Sequence, residues 1–229
     1  MSTVQIQGVG RTFPGVNGGA PTLALQPTTL AVATNDFITI LGPSACGKST
    51  LLRIVAGLDT PSTGRVLLDG VAVTGPGAER GRVFQSYTLF PWLTVLDNIG
   101  FGLREKGMPT PEQADIAQRF IKEVGLLDEP FGALDNQTRA LMPELLLSIW
   151  ELHRKTVLFV THDIDQAIFM ANRCTVFSAR PGRIKTELAI DLAYPRPYTV
   201  KTTPRFSQLK AQLTEEIRVE TLRAVEMER

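Results

Sequence analysis

Eight consecutive residues, Gly42-Pro43-Ser44-Ala45-Cys46-Gly47-Lys48-Ser49, match the pattern G-x-x-x-x-G-K-S/T in full. Glycines let the backbone curl so that successive N–H groups converge on phosphate oxygens, and a helix opening at Lys48 would add the partial positive charge of its N-terminus. The Lys48 ammonium then faces the β and γ phosphates, and the Ser49 hydroxyl, followed by Thr50, is a ligand for Mg²⁺. Two adjacent carboxylates, Asp128 and Glu129, follow the apolar run Val124-Gly125-Leu126-Leu127, which reads as a strand. Just past a strand end they stand where α/β sheets hold ligands, one carboxylate for a metal and the other for a water. His162, after the run Thr156 to Val160, reaches the same kind of edge.

The elements that must position these groups read as an α/β domain with a largely parallel sheet. Phe37 to Leu41 is a buried strand entering the glycine loop, and a helix runs from Lys48 to about Ala56, ended by Gly57. Arg82-Val83-Phe84, Thr156 to Val160 and Cys174 to Phe177 read as further strands, and Gln113 to Val124 as a helix. Before Asn35 the chain is rich in Gly, Pro and Thr, with β-type runs at Val4 to Ile6 and Thr28 to Val32, so an antiparallel β portion is expected there, with its prolines at edges and turns. Thr138 to Leu152 reads as a helix carrying Pro143, which either kinks it or marks a restart. Tyr194 to Pro204 is a Pro-rich linker, and Phe206, Leu209, Leu213 and Ile217 recur at helical spacing, giving a C-terminal helix expected to dock on the body of the protein.

Composition narrows the class. The 229 residues carry 24 Lys+Arg against 23 Asp+Glu, a net charge of +1 that gives no electrostatic reason to expect nucleic acid or an anionic membrane as the main partner, local basic patches aside. Two separated cysteines, Cys46 and Cys174, suit free thiols in a reducing compartment. Met1 to Gln5 lacks the basic and apolar regions of a secretory signal, and the uncharged stretch from Thr12 to Asn35 is too rich in Pro and Gly to span a bilayer, so any membrane role is expected to be peripheral. Because Cys46 lies inside the loop, modification of its thiol is expected to block nucleotide binding.

Several further strings resemble one family, the ATP-binding cassette ATPases of transporters, in particular the nitrate, sulfonate and taurine importer type. They are Gly75-Pro76-Gly77-Ala78-Glu79-Arg80-Gly81, Val83-Phe84-Gln85, Phe90-Pro91-Trp92-Leu93-Thr94-Val95, Asp128-Glu129-Pro130-Phe131-Gly132-Ala133-Leu134-Asp135, Thr161-His162-Asp163 and Ser178-Ala179-Arg180-Pro181-Gly182-Arg183. The resemblance runs from about Val4 to the C-terminal helix. It implies one cassette over residues 1–229, a P-loop NTPase with a mainly parallel sheet flanked by helices, an N-terminal antiparallel β portion, a shortened helical subdomain at about 92–126, the linker at 194–204 and the helix at 205–229. It implies ATP and Mg²⁺ as cofactors, a transmembrane permease subunit, a second ATP-binding subunit and, indirectly, an external solute-binding protein as partners, and a cytoplasmic place on the inner face of the cell membrane. Residue by residue, it makes Phe13 the aromatic that stacks on adenine and Gly42 to Thr50 the phosphate loop. Ser49, Gln85 and Asp128 become the Mg²⁺ side of the site, Glu129 the residue that orients or deprotonates water, His162 the switch histidine and Asp135 the aspartate facing the partner cassette.

One family element is missing. The signature L-S-G-G-Q, which belongs between Gln85 and Asp128, occurs nowhere, and those two residues stand only 43 positions apart, several tens fewer than the family spacing. The sequence reads as an internal deletion joined near Leu126. It removes the signature, the helix that follows it and most of the apolar run before Asp128. A dimer would then lack the half of each site that the partner's signature helix supplies, so closure over ATP is expected to fail.

Overall fold

The computed structural model describes residues 2–15, 18–81, 90–124 and 136–227, with side chains for all of these but 122–124 and 136–142. It divides into two compact units, Met1–Gly81 with Leu146–Arg229, and Arg82–Leu145.

The first unit contains two four-stranded sheets. β1 (Val4–Phe13), β2 (Thr22–Val32), β4 (Thr63–Leu68) and β5 (Val71–Ala72) form an antiparallel sheet in the order β2-β1-β4-β5. Pro27 sits in β2, an edge strand, where its missing N–H costs no ladder bond. The second sheet has the order β6-β3-β7-β8. β3 (Phe37–Leu41) pairs in parallel with both β6 (Val157–Val160) and β7 (Arg173–Phe177), and β8 (Ile184–Ala189) closes the far edge antiparallel.

β3 is buried along its whole length because its alternation feeds two cores. Phe37 and Leu41 face a cluster built with α5 (Ile164–Met170), Trp150 of α4 (Asn136–His153) and α6 (Pro204–Met227). Ile38 and Ile40 face the other cluster, with Ile6, Val9, Leu25 and Leu30 of the antiparallel sheet and Leu51 and Ile54 of α1 (Lys48–Val55). α6 docks through Phe206, Leu209 and Leu213, all buried, as its spacing predicts. α4 is continuous through Pro143, so the proline starts no new helix.

The stretch read as a linker does structural work. Arg196, buried at 5% exposure, donates to the carbonyls of Ile168, Phe169, Ala171 and Leu192, while the Tyr194 hydroxyl donates to Met170 O. Together they satisfy the orphan carbonyls at the end of α5, and a 3-10 helix, Tyr198–Thr202, leads into α6. Desolvation lowers the Arg196 pKa, yet the guanidinium stacks 4.0 Å from the Tyr194 ring centroid and remains paired to oxygen on every side described.

In the second unit α2 (Val95–Glu105) and α3 (Thr110–Val124) form a helical hairpin. Thr94 caps α2 by accepting from Asp97 N, and Gly107, in the left-handed region, ends it with Gly107 N bonded to Arg104 O. The Asn98 side chain holds the preceding turn through Phe90 O, Leu93 O and Thr94 O. Val124 lies in α3, so the run read as a strand from Val124 begins in a helix; residues 125–127 and the strand expected at Arg82 to Phe84 lie outside the described residues.

Replacing Arg196 by Met is expected to strip the α5 carbonyls of their donors and to cost about 2–4 kcal/mol. Urea denaturation checks this, and an unchanged midpoint would refute the capping role.

Candidate functional site

The phosphate loop takes its shape from the backbone at both ends. Leu41 ends β3 as a buried residue; Ala45 and Gly47 then adopt positive φ of 58° and 99°, and Gly47 serves as N-cap of α1, with Leu51 N bonded to Gly47 O. A Cβ on Gly47 would be strained at that φ and would meet Ala24 O of β2 at 2.6 Å. On the loop's other side Gly182 is packed so closely that a Cβ there would lie 1.6 Å from Cys46 O. Both glycines are required by close backbone approach, one inside the loop and one in the turn pressed against it.

The Lys48 ammonium curls back over its own loop, donating to Gly42 O at 2.8 Å and Pro43 O at 2.6 Å, with Cys46 Sγ at 3.5 Å. Ser44, Ala45 and Ser49 are exposed at the mouth of this curl. Ser49 offers a hard hydroxyl oxygen of the kind Mg²⁺ takes, in the first turn of α1. The other metal-side residues of the sequence reading, Gln85 and Asp128, lie outside the described residues, as do Glu129 and Asp135. Among the described residues no group of three His, Cys, Asp or Glu could hold a metal ion.

His162 lies at the same sheet edge as the loop. Ile40 pairs with Val160, and Thr161 N donates to Ile40 O, so His162 and Gly42 each stand two residues beyond a matched pair of parallel strands. The histidine is exposed, and Asp163 behind it caps α5 by accepting from Gln166 N. Phe13, the last residue of β1, is half-buried, with the Arg11 guanidinium 4.7 Å from its ring centroid and held there by Asp59. One face of the ring is thus shared with a cation before any base could stack on it.

Cys46 and Cys174 are free thiols, both buried. Burial pushes the Cys46 thiol above its ordinary pKa, and Lys48 beside it offsets only part of this; burial pushes Cys174 up to about 11. A thiol that is shielded and protonated is a poor nucleophile, so modification of Cys46 is expected to be slow.

Sequence reading missed Gly182 and Arg196 as positioning residues. Each sits in a string rich in Pro and Gly, and nothing in the local pattern says which backbone it will touch.

A sequence profile for the family described as ABC transporter matches residues 25–144. The chain belongs to the ABC transporter family. An uncharacterized ABC transporter ATP-binding protein of Methanocaldococcus jannaschii is 44% identical over 235 aligned positions, which take in 88% of this cassette and 87% of that protein. The nitrate import ATP-binding protein NrtD of Synechocystis is 37% identical over 254 positions, covering 94% of this cassette and 95% of the relative. The aliphatic sulfonates import ATP-binding protein SsuB of Bacillus thuringiensis is 38% identical over 244 positions, covering 93% and 95%. Among solved structures, the dimeric post-hydrolysis state of the ATP-binding cassette MJ0796 bound to ADP and Pi superposes with a TM-score of 0.69 at 26% identity, covering 83% of this cassette and all of that chain. The fold is therefore that of an ABC ATPase, and the cassette is an ATPase by class. No helix among the described residues is long and apolar enough to cross a membrane.

Cys46 should react with a disulfide reagent at neutral pH at least about 100-fold more slowly than in unfolded chain, measured by thiol release with and without denaturant. Fast labelling of the folded cassette would contradict the burial described.

Proposed function

We propose that this cassette is the ATP-binding subunit of an ABC importer for a nitrate-, sulfonate- or taurine-like solute. The observation that carries the nucleotide site is the register of the parallel strands β3 and β6, which brings Gly42 and His162, each just past the end of its strand, to one edge. The solute class rests on the nitrate and sulfonate import functions after which these relatives are named. In this reading Gly42 to Thr50 surround the phosphates. Lys48 exchanges its bonds to Gly42 O and Pro43 O for phosphate oxygens, and Phe13 lies against the adenine. Ser49 holds Mg²⁺ together with Gln85 and Asp128, Glu129 orients the attacking water, and His162 contacts the γ phosphate. The ion would neutralise charge on the phosphates. A second cassette, a membrane permease docked near Trp92 and, at one remove, an external solute-binding protein complete the assembly. The cassette itself then sits at the cytoplasmic face of the membrane.

A second reading has its own support: a nucleotide-binding cassette whose hydrolysis is crippled by an internal deletion joined near Leu126, with no transport activity. The signature string is absent, and each relative's alignment spans more positions than the residues this chain contributes to it.

ATP binding and steady-state hydrolysis at saturating Mg²⁺, with Lys48→Ala as control, separate the two. The importer reading expects turnover that falls at least about 100-fold in the control. Binding that is lost in the control, with no turnover in either protein, selects the deletion reading, and no Lys48-dependent binding refutes both.

A further inference from the structure

A second concave site lies on the first unit, beside the phosphate loop. The turn from Ser178 to Arg183, the end of α6 and Gln26 of β2 line an open cleft of about 310 Å³. Its charge is set by a buried acid. Glu220, at 1% exposure, accepts from Ala179 N at 2.8 Å and pairs with Lys185 at 3.0 Å and Arg223 at 2.9 Å. Burial alone would raise the Glu220 pKa, but these donors outweigh it and the net shift is downward, so the carboxylate stays ionised and fully engaged. Lys185 also pairs with Glu216, which leaves this group of two cations and two carboxylates neutral.

That leaves Arg180 and Arg183, both lining the cleft, both exposed, and neither side chain with a partner among the described residues. Among the described residues of the cleft only Glu226, exposed at the mouth, stands against them, so the unpaired charge of these residues is positive. Met227 and Pro181 add apolar wall. Each guanidinium carries the planar, forked donors that oxyanions accept from, and this turn carries two of them.

The turn that carries them is rigid and joined to the loop. Ser178 N bonds Arg183 O at 2.9 Å, Arg183 N bonds Ser178 Oγ, and Gly182 exchanges backbone bonds with β2 through Ala24 O and Gln26 N. Gly182 is also the residue against Cys46 O, so the turn is at once a wall of the cleft and a support of the phosphate loop. Such a pre-formed turn spares a ligand the cost of ordering its donors.

We propose that this cleft is an effector site for a small oxyanion, bound by Arg180 and Arg183, whose occupancy changes ATP affinity through Gly182 and the phosphate loop. The effect on ATP rests on the nucleotide site proposed above; binding of the anion does not. Sulfate and ethanesulfonate suit the charge and the size, the second also using the apolar wall.

The test is calorimetric titration of the full chain with sodium sulfate and with sodium ethanesulfonate at constant ionic strength. Wild type is compared with Arg180→Ala/Arg183→Ala and with Lys48→Ala. Expected is binding that weakens at least about tenfold in the arginine pair variant and persists in Lys48→Ala, together with a shift of ATP affinity by the anion that the pair variant abolishes. Anion binding lost in Lys48→Ala but kept in the pair variant places the anion in the phosphate loop and overturns the proposal. So does an absence of binding, or an effect on ATP affinity that survives loss of both arginines. If neither Lys48→Ala nor wild type binds ATP while the arginine-dependent anion binding stands, it is the nucleotide-site reading that fails.

Discussion

The phosphate loop is gripped by backbone from two sides, and the arrangement of the first unit follows from that constraint. Ala24 O of β2 closes on Gly47, and Gly182 closes on Cys46 O, at separations where a single Cβ would collide. The antiparallel sheet and the β7–β8 turn therefore converge on one loop. Because the contacts are backbone to backbone, little rotamer freedom is lost in making them and little slack remains. In the proposed nucleotide-binding reading the loop presents successive N–H groups to phosphate and needs that fixity, since its dipoles act only if they are aimed beforehand.

The far end of the site is held differently. His162 precedes a helix of seven residues, α5, too short to be stable alone. Asp163 caps its start, Arg196 and Tyr194 bind the carbonyls at its end, and α6 packs Phe206, Leu209 and Leu213 against it, with Lys210 paired to Asp165. The C-terminal segment, remote in sequence from the loop and the histidine, is thus what keeps the element behind the histidine in place. Arg196 uses its charge to satisfy several carbonyls at once, a task no neutral side chain of that length performs.

β6 shows how a local pattern can be right about an element and silent about its setting. Its four apolar residues form a strand, in register with β3, yet they are half-buried at a sheet edge among the described residues. Composition speaks of an interior position because apolar side chains on both faces of a parallel sheet are normally covered.

The sequence by itself determined the elements whose signal is local: the loop Gly42 to Ser49, the buried strand Phe37 to Leu41, the helix opening at Lys48, the run at Val157 to Val160 and the apolar spacing of Phe206, Leu209 and Leu213. Each rests on periodicity or on residues adjacent in the chain, where backbone preference and burial agree. Tertiary structure alone decided that Cys46 is shielded, that Arg196 in the Pro-rich linker caps α5, that Gly182 braces the phosphate loop, and that Arg180 and Arg183 share a cleft with a charge-paired Glu220. Those facts join residues up to well over a hundred positions apart. They depend on which strand lies beside which, and on how closely two backbones approach, quantities that no pattern along the chain encodes.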